Sequence, residues 1–386
     1  MENVSSSNGL EKHPKFRFPG FDEPWCEVKI KDIFRVTRGS VLAADKVLLS
    51  KIDGYEYPVY SSQTKADGLL GYYNTYLYEN AITWTTDGAN AGTVHYRAGK
   101  FYCTNVCGVL LNKDGYANRC TAAILGSISK KYVSYVGNPK LMNNIMSEIP
   151  IIIPALEEQH KIDSFIAVLD KRIKAQQMMI TSLKKYKRGL NRRLLSQIEE
   201  SYNCKLGSVC TIMGGGTPDT LHDEYWGNSV EWFTPSEIGK TKYVNSSVRK
   251  LSNEGLSNSS AKLLPAGTVL LTTRATLGEM SIAEKECSTN QGFQSLIPLM
   301  SRVSSEYLYY MQIIIKPWCE KYASGNTFRE ISKSALSECI IPVPEKTQQD
   351  KIVKLLSAVD TLIAFEEKET SLLVQMKNSL LQQLFI

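Results

Sequence analysis

The feature of this sequence that most constrains its fold is a long segment that occurs twice. Residues 154–194 align without gaps with residues 344–384 when the sequence is shifted by 190 positions. In both copies apolar residues recur every three or four positions, and no proline follows the start, as in the helices of a coiled coil. Each copy is therefore predicted to form one helix, about 60 Å long at a rise of ~1.5 Å per residue. Two such seams in one chain most economically bury each other.

Composition places the chain among globular proteins. Its 386 residues suffice for two or three folded units, and 43% hydrophobic with 22% charged residues is ordinary for such a protein. No apolar run approaches the ~20 residues of a membrane span, and the N-terminal segment lacks the basic and apolar parts of a signal peptide. The nine cysteines show neither a pairing pattern nor a metal-ligand spacing. We therefore expect a cytoplasmic protein with reduced thiols, no metal and no membrane contact.

The repetition extends beyond the two helices. Short strand-like segments separated by glycine and polar turns precede each helix, and the pattern Ile30-x-x-Ile33-x-x-Val36 recurs as Leu206-x-x-Val209-x-x-Ile212. We predict an α+β fold with two mixed α/β domains, separated by two long antiparallel coiled-coil helices in a tandem repeat with pseudo-two-fold symmetry. The predicted parts are an arm at 1–21, a first domain at 22–155, a first helix at 156–200, a second domain at 201–344 and a second helix at 345–386.

No catalytic constellation is recognisable in the sequence. His95, His160 and His222 have no partners at a familiar spacing, which favours structural roles. The glycine loop at 214–218 lacks the Gly-Lys-Ser/Thr ending of a phosphate-binding loop, and Pro218 removes a backbone donor that such a loop needs. The chain is therefore predicted not to be an enzyme.

Polar loops flanked by aromatic residues point instead to a surface that binds DNA. Asn, Gln and Arg pair with base edges, whereas Ser, Thr and Lys suit phosphates. Each residue alone is equally explained by a local role in a turn, so the hypothesis rests on the whole set. The candidates in the first domain are Tyr60, Ser61, Ser62, Gln63, Lys65, Thr85, Thr86, Asp87, Asn90, Tyr96, Arg97, Thr104, Asn105, Asn143 and Asn144. Those in the second domain are Thr217, Trp232, Thr234, Ser236, Lys240, Arg274, Thr289, Asn290, Gln291, Gln294, Thr327 and Arg329.

A second candidate surface is a run of basic residues on the first helix. Between residues 184 and 193, six of ten residues are basic and none is acidic, which is typical either of a solvated helix face or of a face for a polyanion or acidic partner. Pairing of the helices should also match Lys187 with Glu366, because a buried charge without a partner costs several kcal/mol. The residues assigned to this partner and spacer surface are Lys184, Lys185, Lys187, Arg188, Arg192, Arg193, Glu366 and Lys377.

Taken together, the motifs resemble the specificity subunits of type I restriction–modification systems over nearly the whole chain. The resemblance is carried by Pro14-Lys-Phe-Arg-Phe-Pro-Gly-Phe21, Tyr57-Pro-Val-Tyr-Ser-Ser-Gln-Thr64, Thr83-Trp-Thr-Thr-Asp-Gly-Ala-Asn-Ala-Gly-Thr93, Ile151-Ile-Ile-Pro-Ala-Leu-Glu-Glu-Gln159, Gly215-Gly-Thr-Pro218, Trp232-Phe-Thr-Pro-Ser236 and Gly325-Asn-Thr-Phe-Arg329. Glu237 departs from the aspartate common in the family.

This resemblance implies a division of labour within a larger complex. Each of two target-recognition domains would read one half of a split, asymmetric site in double-stranded DNA, and the two helices would act as a spacer. Two methyltransferase subunits and the restriction subunits would assemble on the chain and modify adenine or cleave. The chain itself would hold no cofactor, with S-adenosylmethionine and ATP bound only by the partner subunits.

Two other readings of the sequence remain open. In the first, the chain is a coiled-coil scaffold whose two globular domains bind proteins. In the second, it is a self-sufficient methyltransferase or nuclease. The second is disfavoured because the sequence contains neither an Asn-Pro-Pro-aromatic nor an Asp-Pro-Pro-aromatic motif.

Overall fold

The computed structural model describes residue 14 and residues 16–62, 65–325 and 329–385, without the side chains of residues 65 and 66. The chain divides into two compact units. Unit 1 comprises Met1–Met178 and Lys368–Ile386, and unit 2 comprises Met179–Glu367. Each unit combines a mixed α/β module with part of both long helices, which span Leu156–Ser196 and Lys346–Phe385. The predicted fold class, with two mixed modules and two long helices in tandem, is confirmed.

Among the described residues of unit 1, seven of the eight strands lie before residue 112, and two of the three short helices lie after it. Its strands are β1 (Cys26–Lys29), β2 (Arg35–Arg38), β3 (Tyr57–Tyr60), β4 (Leu69–Tyr73), β5 (Tyr78–Thr85), β6 (Val94–Cys103), β7 (Cys107–Leu111) and β8 (Pro150–Ile153). Its helices are α1 (Ile30–Ile33), α2 (Arg119–Ile128), α3 (Asn143–Glu148) and the first part of α4 (Leu156–Ser196).

A mixed sheet in the order β2-β7-β5-β6-β3-β4 forms the centre of unit 1. The central strand β5 is buried from Ala81 to Thr85, and its Trp84 indole donates to the Leu141 carbonyl at 2.9 Å. On the neighbouring strand, a Cβ at Gly108 would lie 2.1 Å from the Trp84 ring. Glycine is therefore required there, because no side chain fits beneath the indole.

Strand β6 runs from Val94 to Cys103 and includes Arg97. The strand continues to Cys103 because a bulge opposite Asn80 accommodates Gly99, whose N–H donates to the Asn80 side chain at 2.8 Å. Arg97 therefore lies within a strand, and the expectation that it lies in a polar loop is wrong.

Unit 2 also places its strands before a group of short helices, a last short strand and a long helix, but its strands differ in number and order from those of unit 1. Its strands are β9 (Asn203–Lys205), β10 (Cys210–Gly214), β11 (Trp226–Phe233), β12 (Tyr243–Val244), β13 (Arg249–Leu251), β14 (Val269–Leu271), β15 (Met280–Ala283), β16 (Cys287–Thr289), β17 (Gln294–Pro298) and β18 (Ile340–Pro342). Its helices are α5 (Asn253–Ser257), α6 (Ser305–Tyr310), α7 (Gln312–Tyr322), α8 (Lys333–Ser337) and parts of α4 and α9 (Lys346–Phe385).

Two main sheets build unit 2, in the orders β10-β17-β14-β15-β12 and β13-β11-β16. The larger sheet packs against α6 and α7 around Leu271, Leu296 and Tyr307, all fully buried. The same core includes Leu195 of α4 and Leu356 of α9. The apolar seams of both helices thus continue into the core of the module.

Each long helix carries, in its first turn, a buried glutamine that repeats with the 190-residue shift. In unit 1, Gln159 donates to the Pro154 carbonyl at 2.8 Å and accepts from Asn118 at 2.7 Å. In unit 2, Gln349 donates to the Pro344 carbonyl at 2.8 Å and accepts from the Ser304 N–H at 3.3 Å. Both side chains are fully buried. One amide in each unit therefore links the helix start to the module.

One ion pair in each unit joins the segments of the two long helices. In unit 1, Lys377 Nζ lies 2.5 Å from Asp170 Oδ1. In unit 2, Lys187 is paired with Asp360. The shift of 190 residues converts one pair into the other. Within unit 1, Ile162 shares a core with Leu384 and Phe385, so the two helical segments run antiparallel there.

The expected match of Lys187 with Glu366 is wrong. Lys187 forms its ion pair with Asp360 and also lies 5.3 Å from the centre of the Tyr310 ring. A match drawn from residues within the apolar seam alone leaves out carboxylates that flank the seam. Asp360 directly follows Val359 and supplies the carboxylate from the flank of the seam.

The segment predicted to be an N-terminal arm contacts the start of α4. The Arg17 guanidinium donates to both carboxylate oxygens of Glu158, at 3.0 and 2.7 Å, and the Trp25 indole donates to the same group at 3.1 Å. Phe18 packs edge-on against Phe165 at 6.1 Å. These contacts fix residues 17–25 on the first part of α4.

Replacement of either buried glutamine by alanine should destabilise its own unit. Gln159→Ala leaves the Asn118 amide without its acceptor and the Pro154 carbonyl without its donor, and a buried polar group left unpaired costs about 1–3 kcal/mol. Gln349→Ala should act in the same way on unit 2. Urea unfolding followed by hydrogen exchange would measure the loss in each unit. The exposed Gln382→Ala is the matched control, and equal midpoints for all three variants would contradict the assigned role.

Candidate nucleic-acid interface

The predicted site residues of unit 1 that line a common space lie after β3, at and after the end of β5, and on β6. A cavity of about 140 Å³ is bounded there by twelve residues, which include the predicted Ser61, Ser62, Thr85, Asn90 and Arg97. Their loops are held together by side-chain bonds: the Asn90 amide donates to the Ser62 carbonyl at 3.2 Å, and Thr104 donates to the Ser61 hydroxyl at 3.1 Å. The structure thus brings together residues far apart in sequence.

Arg97 lines this cavity and packs against the ring of Tyr60. The guanidinium carbon of Arg97 lies 3.7 Å from the centre of the Tyr60 ring, a favourable cation–π arrangement. Arg97 also donates to the Thr83 hydroxyl at 3.1 Å and to the Asp67 carbonyl at 2.7 Å. Burial lowers the pKa of the Arg97 guanidinium. Thr83, Asp67 and His95 line the cavity but were not among the predicted residues.

A second group of predicted residues in unit 1 surrounds Arg38. Its guanidinium donates to the Asn105 carbonyl at 2.6 Å and pairs with Asp87 at 3.2 Å. Thr86 donates to the same carboxylate at 2.6 Å. Arg38 was not predicted because its only sequence signal is a position directly before Gly39 at the end of β2. It fixes the loops of residues 85–87 and 104–105 relative to each other.

The remaining predicted residues of unit 1 lie elsewhere. Tyr96 faces the Arg119 guanidinium, 5.1 Å from its ring centre, and therefore belongs to the α2 side of the sheet. Asn143, at the start of α3, donates to the Thr37 carbonyl at 3.3 Å, and Asn144 is exposed. Gln63 and the side chain of Lys65 lie outside the described residues.

In unit 2 the predicted residues gather around the glycine loop that follows β10. A Cβ at Gly215 would lie 2.1 Å from the Asn290 carbonyl, and the Gly216 N–H donates to the Thr289 carbonyl at 2.9 Å. Glycine is therefore needed where the two segments meet. Thr217 donates to the Gln291 side chain, and the buried Trp232 indole donates to the Gly216 carbonyl at 3.0 Å. Trp232 holds the loop from below.

Polar atoms without partners remain beneath this loop. The hydroxyl of Thr289 and the side-chain oxygen of Gln294 are buried and have no hydrogen-bond partner among the described residues. A Cβ at Gly214 would lie 3.9 Å from that Gln294 oxygen. Buried polar groups are normally satisfied by protein or ordered water. These two predicted residues thus lie below the surface, whereas Gln291 is exposed.

Arg274 lies at the rim of the same loop cluster. Its Nε is 3.3 Å from the position that a Cβ of Gly292 would occupy, and it makes no hydrogen bond or ion pair with any described residue. The next residue, Ala275, has a φ of 60°, a backbone conformation that is costly for residues other than glycine. Asn290 accepts from the Gly292 N–H at 2.8 Å. Arg274 is therefore a half-buried, unpaired cation beside Asn290.

Thr234, Ser236, Lys240 and Arg329 complete the predicted set of unit 2. Thr234 bonds to Ser236 at 3.1 Å and donates to Glu237 at 2.7 Å, and Glu237 also accepts from the Val248 N–H at 2.7 Å. Glu237 therefore holds this turn together. Lys240 is exposed. Arg329 donates to the Glu320 carbonyl at 2.6 Å, near the end of α7, and Thr327 lies outside the described residues.

The basic run on α4 divides into paired and unpaired cations. Lys184 is 2.7 Å from Glu367, and Lys187 is paired with Asp360. Four others are exposed and form no ion pair within the described ranges: Lys185, Arg188, Arg192 and Arg193. Three of these four are spaced by three and four positions, so they share one helix face.

Neither a metal centre nor a membrane segment is found in the described part of the chain. No group of three or more His, Cys, Asp or Glu side chains is placed to hold a metal ion among the described residues. No helix in the same ranges is long and apolar enough to cross a membrane.

The protonation of His95 should make unit 1 sensitive to acid. Burial, and secondarily the charge of Arg97, lower the pKa of His95 from 6.5 to about 4. Between these pH values the unfolded chain binds a proton that the folded chain does not, so stability is full above pH 6.5 and falls toward pH 4. His95→Gln should remove a loss of about 3 kcal/mol over that window, since each pH unit corresponds to about 1.4 kcal/mol.

Urea unfolding at pH 4 and pH 7 would measure this effect. The control is His222→Gln, because Glu224 raises the pKa of the exposed His222, which gives stability of the opposite sign at low pH. An acid loss that His95→Gln leaves unchanged would show that His95 is not its source.

Comparison with known proteins agrees with the fold and the repeat. The chain is 35% identical over 186 residues to the type I restriction enzyme MjaIX specificity subunit of Methanocaldococcus jannaschii, which covers 47% of this chain and 43% of the relative. It is 36% identical to a putative type I specificity subunit of Mycoplasma pneumoniae, over 39% of this chain and 50% of the relative. The chain thus spans about half the length of the curated relatives it matches.

Solved structures show the same fold across the whole chain. The type I restriction–modification S subunit from M. genitalium superimposes with a TM-score of 0.59 at 17% identity, covering 97% of this chain and 99% of that one. A chain from work on complex assembly and conformational transition of the type I R-M system gives a TM-score of 0.56 at 17% identity, covering 96% and 98%.

The family profile described as "Type I restriction modification DNA specificity domain" matches residues 22–185 and 198–375. These two matches follow the two halves of the duplication and together cover most of the sequence. The chain therefore belongs to the type I restriction modification DNA specificity family, whose domain it carries twice.

Proposed function

We propose that this chain is the DNA-specificity subunit of a type I restriction–modification complex. Each unit binds one half of a split site in double-stranded DNA. Methyltransferase subunits, two per chain, and restriction subunits carry out adenine methylation and cleavage. S-adenosylmethionine and ATP are bound by those partners and not by this chain.

The observation that carries the proposal is the contrast between repeated joints and divergent loops. The glutamine joints and the helix ion pairs recur with the 190-residue shift. The polar loops do not: unit 1 presents a cavity with a buried arginine, whereas unit 2 presents a glycine loop packed on residues 289–291 with Arg274 at its rim. A constant frame that holds two different polar surfaces suits a protein that reads two different sequences.

The unpaired cations support association with a polyanion. Lys185, Arg188 and Arg192 lie on one exposed face of α4, and Arg274 lies unpaired beside Asn290. Clustered positive charge raises the local concentration of an anionic partner. Arginine and asparagine beside each other also offer the paired donors that base edges accept. The scaffold alternative does not explain why these cations have no carboxylate partner among the described residues of the loops and of α4.

The proposal predicts two unlike half-sites. The purified chain with its methyltransferase partner should retard a short duplex only when both half-sites are present, and the chain alone should transfer no methyl group. Mapping methylated adenines in the host genome should give an asymmetric, interrupted motif. A strictly palindromic motif would contradict the assignment of different targets to the two units, and sequence-independent binding would contradict the proposed function itself.

Arg274→Ala should separate base reading from phosphate binding. If Arg274 contacts a base edge, affinity should fall by about 1–3 kcal/mol at one half-site and discrimination there should relax. If it contacts a phosphate, affinity should fall for all sequences and the salt slope should decrease by about one. Fluorescence anisotropy at several salt concentrations measures both quantities.

The matched control for this variant is Arg302→Ala. Arg302 is an exposed arginine of the same unit, and its carbonyl accepts from Gln349 at the start of α9, away from the loop cluster in sequence and contacts. If Arg274→Ala binds DNA as Arg302→Ala does at every salt concentration, Arg274 makes no contact with DNA.

A further inference from the structure

The cavity of unit 1 contains a buried cation that forms no ion pair among the described residues. Arg97 is 7% exposed, and its contacts are the Thr83 hydroxyl, the Asp67 carbonyl and the face of the Tyr60 ring. No described carboxylate forms an ion pair with it. Residues 63–66, whose side chains lie outside the described set, are Gln, Thr, Lys and Ala, so no acid from that segment can neutralise it.

Other arginines of unit 1 show what Arg97 lacks. Arg17 is bound by both oxygens of Glu158, and Arg119 is bound by Asp163 at 3.3 Å. Arg119 also faces an aromatic ring, as Arg97 does. A buried charge without an opposite charge is strongly unfavourable. The missing partner of Arg97 is therefore expected from outside the chain.

The space beside Arg97 is large enough for such a partner. The cavity holds about 140 Å³, whereas a single water molecule needs only ~10–15 Å³ of this kind of space. Its lining adds the hydroxyls of Thr85 and Thr93, which donate readily to oxygen atoms. Asp67 contributes a carboxylate at the rim, but that residue is exposed and its carbonyl is what contacts Arg97.

The neutral state of His95 fits the same chemistry. His95 lines the cavity, and burial keeps it unprotonated at neutral pH. It therefore offers one N–H donor without a second positive charge. The result is a single fixed guanidinium surrounded by hydroxyl and imidazole donors, which suits a group with two adjacent acceptor atoms.

We propose that this cavity is a binding site for a DNA group with two adjacent acceptor atoms, held by the Arg97 guanidinium. Two such groups occur in duplex DNA: the O6 and N7 edge of guanine, and the oxygens of a backbone phosphate. The inference rests on the proposed DNA binding and adds the position and the chemistry of one contact. Thr83, Asp67 and Tyr60 act as positioning residues that hold the guanidinium fork in place.

Arg97→Gln and Arg97→Lys, in the full chain with its methyltransferase partner, test the proposal. If Arg97 binds a guanine edge, both variants should lose affinity by about 5- to 150-fold at one half-site, because neither side chain has the two parallel donors of the guanidinium. Against a phosphate, Arg97→Lys should keep most of the affinity, whereas Arg97→Gln should weaken all sequences and reduce the salt slope by about one. Arg119→Gln is the matched control, since its charge already has a carboxylate partner.

Modified DNA identifies the source of the acceptors. A 7-deazaguanine that weakens the wild-type complex but not the Arg97→Gln complex indicates the base edge, and a methylphosphonate with that behaviour indicates the phosphate. Arg97→Gln binding with unchanged affinity, salt slope and base preference would overturn the inference and leave the proposed function intact. A wild-type complex that binds DNA without any dependence on sequence would instead contradict the proposed function.

A second pair of variants keeps the test valid if changes at Arg97 prevent folding. Ser61→Asp places a carboxylate in the cavity, and Ser61→Asn places a neutral group of the same shape. If the cavity binds an acceptor group of DNA, the new aspartate should form an ion pair with Arg97 and weaken DNA binding at least tenfold relative to the asparagine variant. The same ion pair should raise the midpoint of thermal unfolding of the protein. Equal affinity of the two variants would show that Arg97 is only structural.

Discussion

The amide of one buried glutamine at the start of each long helix is the contact on which the geometry of both units depends. Gln159 and Gln349 are each fully buried, and each bonds at once to the proline carbonyl before the helix and to groups of its own module. A buried amide that loses these partners is costly, so few orientations of helix against module satisfy it. The polar loops are therefore held at a defined position relative to the helices, although no side chain of the joint reaches them.

The two units hold their polar loops in place with different kinds of contact. In unit 1, side chains bond across the loops and leave a cavity lined by Arg97, which forms no ion pair with a described residue. In unit 2, backbone meets backbone: Gly215 and Gly216 lie directly on residues 289–290, and the space is filled by the Trp232 indole. Beneath that loop, the buried oxygens of Thr289 and Gln294 have no hydrogen-bond partner among the described residues, and the cation of unit 2, Arg274, lies at the rim and not in a cavity. A pocket that offers donors and a packed loop that presents an exposed amide would favour different base edges, which is consistent with two unlike half-sites.

The sequence is sufficient to predict the repeat, the long helices and several strands, because these follow from apolar periodicity and from glycine and proline positions. It was insufficient for Arg97, since the bulge at Asn80 and Gly99 looks like a turn when each strand is considered alone. Arg38 gave no signal because its partners at residues 87 and 105 are 49 and 67 positions away. The partner of Lys187 was missed for a related reason: the side chain that neutralises it stands beside the seam and not within it. Local pattern thus predicts which elements form, whereas the identity of polar partners depends on contacts between distant segments.

The closure of unit 1 has a consequence for how the chain folds during synthesis. Phe385 is 2% exposed and packs 6.1 Å from the Trp25 ring, a contact between residues 360 positions apart. Contacts of such long range carry a large loop-closure entropy and slow folding. The module of unit 1 leaves the ribosome first, but the apolar surface around Trp25 and Ile162 stays uncovered until residues 368–385 have been made. Unit 2 is contiguous between residues 179 and 367 and can close earlier, so the half that is translated first is completed last.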